Sequence, residues 1–231
     1  MGPKPLSTYG HFTAMQVRDR AVRGLDRHLR RLDDANRELF GTRLDPDEVR
    51  RAIRDALVDA TDASARVYVI DGVLSAWAGP PNSPPAAPRR LASVPYVRPF
   101  AHLKHLGGFG QSHHARLAER AGFDDVLLTA ADGTVSETSI ANVGFFDRAG
   151  AVVWPEPPWL HGVAMQLIEA GMPTRRHRVT LADVGGFRGA FLANSVGVVP
   201  VAGIDEVAYP VEPALIKTVV EALESAPWDP I

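Results

Sequence analysis

Alternating and helically spaced apolar positions divide the chain into short strands and amphipathic helices. Phe12 to Val17 (FTAMQV) alternates as a strand, and RDRAVRG behind it reads as a turn. Leu25, Leu29, Leu32, Leu39 and Phe40 recur at near-helical spacing, predicting a helix over 25–40 with Gly41 as its C-terminal cap. Asp45 as N-cap, Pro46 in the first turn and Glu48 closing a capping box announce a second helix, with Val49, Ile53 and Leu57 on its apolar face. Arg66 to Ile70 and VLSAWAG are strands, and GPPNSPPAAPRR, with five prolines, forbids regular structure. That break divides a small N-terminal α/β lobe (1–82) and a Pro-rich linker (83–90) from a larger lobe (91–231).

In the larger lobe LASVPYVRP reads as a strand held to a sheet edge by its prolines, and Gln111 to Ala121 as a helix closed by Gly122. DVLLTA and TVSET form a hairpin about Asp132-Gly133, and NVGFFD and GAVVW another about Arg148 to Gly150. A helix from Gly162 to Ala170 ends at Gly171. RRHRVT, AFLAN and VGVVPV follow as strands, and Pro213 to Ser225 as a closing amphipathic helix. The sum is an α+β chain in two lobes.

Composition narrows the chemistry. With 231 residues, 45% hydrophobic and 23% charged, the chain is that of an ordinary globule. Its net charge of -2 supplies no positive field for nucleic acid or an anionic membrane. No apolar run spans a membrane and the start lacks a signal core, so the expected compartment is the cytoplasm. Leu6 stands where a myristoylation signal wants Ser or Thr. The absence of cysteine removes thiolate metal sites and cysteine nucleophiles together. His102, His105, His113 and His114 crowd one region but match no metal-ligand spacing, so no metal is expected. Gly110-Gln111-Ser112-His113-His114 ends in His where a nucleophile elbow needs Gly, and GGFG lacks the dinucleotide spacing.

Of the 25 basic residues only Lys4, Lys104 and Lys217 are lysines. A lysine among apolar neighbours in an arginine-rich chain points to what a guanidinium cannot do, which is lose a proton and become a nucleophile.

Six runs, GHFTAMQV, HLRRL (28–32), HLKHL (102–106), GFDDVLLTAADGTVSETSIANVGFF (122–146), LHGVAMQLI (160–168) and NSVGVVPV (194–201), resemble the class IV aminotransferases. This pyridoxal-phosphate fold type IV family includes branched-chain and D-amino-acid aminotransferases and aminodeoxychorismate lyase. The resemblance implies a two-lobed fold with a β-barrel-like sheet in the larger lobe. It also implies pyridoxal 5'-phosphate as cofactor and a homodimer acting on an amino acid and a 2-oxo acid. Lys104 would then form the Schiff base and shuttle the α-proton, and Glu137 would bond the pyridine nitrogen. The phosphate would be held by Arg31, the amides of Val163 and Ala164 at a helix start, and Asn194 or Ser195. Leu29 and Leu32 mark the buried stripe and favour Arg31 over Arg30. Tyr9, His11, Arg98, His105 and Phe109 are candidates to line the substrate pocket. Two positions depart from the family: Ala164 stands where many relatives carry Thr, and Phe109 where branched-chain enzymes carry Tyr. Amino-group transfer is the expected reaction. Pyruvate elimination of the aminodeoxychorismate lyase type, or cofactor binding without catalysis, are its alternatives.

Overall fold

A computed structural model describes residues 7–231, so Lys4 and the Met1-Gly2 start lie outside the described residues. They form two compact units. One takes the chain up to Asn82 together with Leu103–Gly108 and Pro227–Ile231, and the other takes Ser83–His102 and Phe109–Ala226.

In the first unit β1 (Gly10–Arg18) runs into β2 (Ala21–Arg23). RDRAVRG is therefore not a simple turn: Asp19 and Arg20 both take positive φ, as a two-residue hairpin needs, and Val22 behind them is buried. Helix α1 (Leu25–Phe40) ends at Gly41, whose φ of 70° lets its N–H return to the Arg37 carbonyl. In α2 (Pro46–Leu57) the Asp45 carboxylate accepts from the Asp47 amide, one position earlier than the capping box expected with Glu48. Strands β3 (Ala63–Ile70) and β4 (Val73–Gly79) form a hairpin about Asp71 and Gly72, and β14 (Trp228–Pro230) completes a sheet ordered β14-β2-β1-β3-β4. Met15 and Val17 of β1, Leu25 and Leu32 of α1, Val49 and Ile53 of α2 and Val67 of β3 make its core, the face that strand and helix periodicity each predict.

One edge of this sheet positions the chemistry. Strand β2 meets β1 only at Val17 and Arg18, which leaves the N-terminal half of β1 open on that side. Residues 104–106 fill the gap: the Phe12 amide donates to the Lys104 carbonyl at 2.9 Å and the Leu106 amide to the Gly10 carbonyl at 3.0 Å, with His11 opposite His105. Main-chain pairing thus fixes Lys104 whatever its side chain does.

In the second unit β5 (Arg89–Pro95) leads through α3 (Phe109–Arg120) to β6 (Asp125–Thr129) and β7 (Val135–Thr138). Strands β8 (Asn142–Phe146) and β9 (Val152–Pro155) precede α4 (Val163–Gly171) and β10 (Thr174–His177). Strands β11 (Gly189–Asn194), β12 (Gly197–Ile204) and β13 (Val207–Ala208) and helix α5 (Pro213–Glu224) follow. The curled sheet runs β10-β9-β8-β11-β12-β5-β6-β7, with β13 on β12. Strand β5 is interior, against the edge expected from its prolines. Its pairing with β12 stops at Leu91, and only β6 follows it as far as Pro95, so the missing proline N–H falls where no ladder asks for it. The strand also starts earlier than read, taking Arg89 and Arg90 out of the proline-rich stretch. Neighbouring residues face opposite cores: Phe145 and Leu192 pack on one side of the sheet, while Phe146, Phe191 and Trp154 pack under α4 and α5 on the other. Both faces are covered, which is why these strands read as continuous apolar runs. No helix among the described residues is long and apolar enough to cross a membrane.

Candidate active site

Helix α1 carries His28 and Arg31 one turn apart, and β1 carries Thr13 beneath them. His28 and Thr13 are buried. An Arg31 terminal nitrogen donates to the Thr13 hydroxyl and lies 3.4 Å from His28 Nδ1, while Thr13 Oγ1 is 2.7 Å from the same Nδ1. Arg30, by contrast, points to solvent and pairs with Asp26. Among the described residues no carboxylate is a partner of Arg31. Burial alone lowers its pKa to about 10, and its Nε is buried without an acceptor. A buried guanidinium paired only with neutral groups attracts an anion. Burial, then the charges of Arg31 and Lys104, hold His28 well below the usual imidazole range, so it is neutral. Lys104, half-buried, places Nζ 4.9 Å from the centre of the Phe12 ring.

The second unit holds a buried carboxylate. Glu137, in β7, receives Arg98 Nε on one oxygen at 2.7 Å and the Leu160 amide on the other at 3.1 Å. Arg98 is itself buried and also donates to the Ala101 carbonyl. The Leu160 peptide is held from both ends, since its carbonyl accepts from Asn142 Nδ2 at 2.7 Å. Trp159 Nε1 donates to the Pro155 carbonyl, and His161 meets Glu169 at 2.7 Å. These bonds fix the approach to α4. Its N-cap is Gly162, which offers no capping side chain, and the first intrahelical bond of the helix is from Gln166 to the Gly162 carbonyl. The Val163 and Ala164 amides therefore point out of the helix start, with its positive dipole end behind them. Asn142 pairs with Ala193 across β8 and β11, next to Asn194, whose Oδ1 caps the turn at Val196. Ser195 lies in that turn.

Gly162 is the residue on which the helix start depends: a Cβ there would sit 2.4 Å from Asn142 Oδ1. Gly162→Ala is expected to displace Asn142 from Leu160 and to lower stability by roughly 1–3 kcal/mol, read by thermal unfolding.

The candidate pocket residues are distributed over both units. In the first, Tyr9 is exposed, with its hydroxyl on the Leu39 carbonyl and its ring edge-on to Phe40. His11 is buried against Asn36, and His105 accepts the Gly107 amide. In the second, Arg98 is engaged with Glu137, and Phe109 stands 80% exposed at the start of α3, stacked on His113. Among the described residues no three His, Asp or Glu side chains gather as a metal site. Thr13, His28 and the Arg98 contact to Glu137 are absent from the sequence reading. The HLRRL run contained His28, and its spacing of three from Arg31 was the available signal.

The sequence profile of the amino-transferase class IV family matches residues 10–204, and the chain belongs to that family. A search of curated proteins gives no match. Among solved structures the chain is similar to a Legionella pneumophila protein described as a 4-amino-4-deoxychorismate lyase, with TM-score 0.85 and 18% identity over 94% of this chain and 91% of that one. It is similar to a hypothetical aminotransferase from Mycobacterium tuberculosis in its PLP-bound form, with TM-score 0.80 and 21% identity over 94% and 89% of the two chains. It is also similar to the Escherichia coli branched-chain amino acid aminotransferase, with TM-score 0.76 and 18% identity over 91% and 83%. At these identities the likeness establishes the fold, that of the type IV enzymes. Each unit by itself offers groups that fit the phosphate of a pyridine cofactor: the first the buried Arg31 guanidinium, the second the amides at the start of α4.

Proposed function

We propose that the protein is a pyridoxal-phosphate-dependent aminotransferase that moves an amino group between an amino acid and a 2-oxo acid. The observation that carries this reading is the arrangement in the first unit, where a buried guanidinium without a carboxylate and a strand-anchored lysine flank one neutral histidine. Such uncompensated positive charge costs stability unless an anion joins it, and a phosphate monoester is the anion that Arg31 and a helix start hold best.

In this reading Arg31, the Val163 and Ala164 amides and the Asn194-Ser195 turn bind the phosphate. Lys104 would supply the amine that holds the cofactor and would move the proton at the substrate α-carbon. Glu137, paired with Arg98, would accept from the pyridine N–H and so favour the charged form of that nitrogen. The bound cofactor supplies the sink for the electron pair left by the departing proton. The homodimer implied by the family resemblance belongs to the same proposal.

Incubating the pyridoxal-phosphate-loaded protein with a panel of amino acids and 2-oxoglutarate tests the reaction. Glutamate is expected to accumulate only when both donor and acceptor are present. Pyruvate released from 4-amino-4-deoxychorismate without any oxo acid would replace this reading with the lyase one, which the Legionella neighbour also suggests.

A further inference from the structure

Arginine can only donate, so Thr13 Oγ1 is an acceptor towards Arg31 and has one proton left to give. The acceptor within reach is His28 Nδ1, 2.7 Å away. That nitrogen therefore carries a lone pair, which the Arg31 terminal nitrogen also faces at 3.4 Å, and the imidazole proton sits on Nε2. Both partners of Arg31 are neutral. A carboxylate in either place would aim the guanidinium equally well but would also neutralise it, and the site would lose its attraction for an anion. Thr13 and His28 occupy one terminal nitrogen only, leaving the buried Nε without a partner.

We propose that Thr13 and His28 are positioning residues that fix the Arg31 guanidinium without compensating its charge, and so set the preference of the site for a phosphorylated over an unphosphorylated pyridoxal. The inference rests on the reading that Arg31 takes the cofactor phosphate. Neither residue touches the cofactor in this account, and both act through Arg31. The charged groups acting on His28 are Arg31 and Lys104, and burial does the rest.

The test measures dissociation constants of pyridoxal phosphate and of pyridoxal for the wild type and for Thr13→Val, His28→Leu, His28→Asn and Arg31→Met. Each protein is titrated by absorbance, and the readout is the ratio of the two constants. Thr13→Val and His28→Leu are expected to lower the phosphate preference roughly tenfold, the factor that about 1.4 kcal/mol makes, with pyridoxal binding unchanged. His28→Asn, whose side-chain oxygen replaces the Nδ1 lone pair, is expected to restore most of it. In the Arg31→Met background Thr13→Val should add nothing. Equal loss of both ligands in Thr13→Val and His28→Leu, or full additivity with Arg31→Met, would overturn the inference. An unchanged ratio in Arg31→Met would overturn the phosphate reading of Arg31 itself, a distinct result. Thr13→Val is nearly isosteric and keeps the test decisive should His28→Leu fail to fold.

Discussion

Lys104→Ala is expected to lower amino-group transfer by on the order of 10^4 or more while the fold survives. The asymmetry follows from how the residue is held. Its carbonyl, not its side chain, takes the Phe12 amide, and Leu106 makes the next bond to Gly10, so an alanine keeps residues 104–106 on the edge of β1. Among what the side chain gives up is its contact with the Phe12 ring, worth about 0.5–1 kcal/mol at exposed sites. Lys104→Arg separates charge from nucleophilicity. A guanidinium keeps the positive charge but does not yield a free amine near neutral pH, so this variant should be as inactive as the alanine one. Rates of amino transfer beside thermal unfolding curves check both statements.

Removing the carboxylate of Glu137 has the largest expected effect on stability. Glu137 and Arg98 have side chains 7% and 5% exposed, and the pair is separated by 2.7 Å. Glu137→Ala removes the carboxylate that faces the buried Arg98 guanidinium and frees the Leu160 amide, at a cost of roughly 3–5 kcal/mol. For a protein of this size that is a fall in Tm on the order of 10 °C. Glu137→Gln retains an oxygen for Arg98 but turns its NH2 toward the Leu160 amide, and should cost less than the alanine. It should nonetheless slow amino transfer by on the order of a hundredfold, because a neutral amide no longer favours a charged pyridine nitrogen. A Glu137→Gln enzyme with full activity would remove the residue from the ring-binding role and leave it as the partner of Arg98 and the Leu160 amide.

Elements governed by local rules were legible in the sequence. Helix α1 shows its apolar stripe and its Gly41 cap, α2 its Asp45 and Pro46, and the β6–β7 hairpin its Asp132-Gly133 turn, because each is decided within a few residues. Misreadings arose where distant chain sets the outcome. Strand β2 is only Ala21–Arg23, and its pairing with β14 joins residues about two hundred positions apart in sequence. The interior place of β5 depends on where β12 stops. The site shows the same division. Lys104, Glu137 and Arg31 could be picked out by motif and rarity, whereas the neutral Thr13 and His28 pair and the Arg98 contact to Glu137 arise from side chains facing each other across elements. Of the two candidates on α1, the apolar stripe favoured Arg31, and the structure puts Arg31 inside and Arg30 in solvent.

Borohydride reduction of the protein with pyridoxal phosphate, followed by digestion and mass spectrometry, tests the central claim most directly. The chain has three lysines, Lys4, Lys104 and Lys217, which makes the readout a choice among three peptides. The account predicts one phosphopyridoxyl group per chain, on the peptide that contains Lys104, and none in Lys104→Ala. Label on Lys4 or Lys217 in place of Lys104, or no label at saturating cofactor, would contradict it.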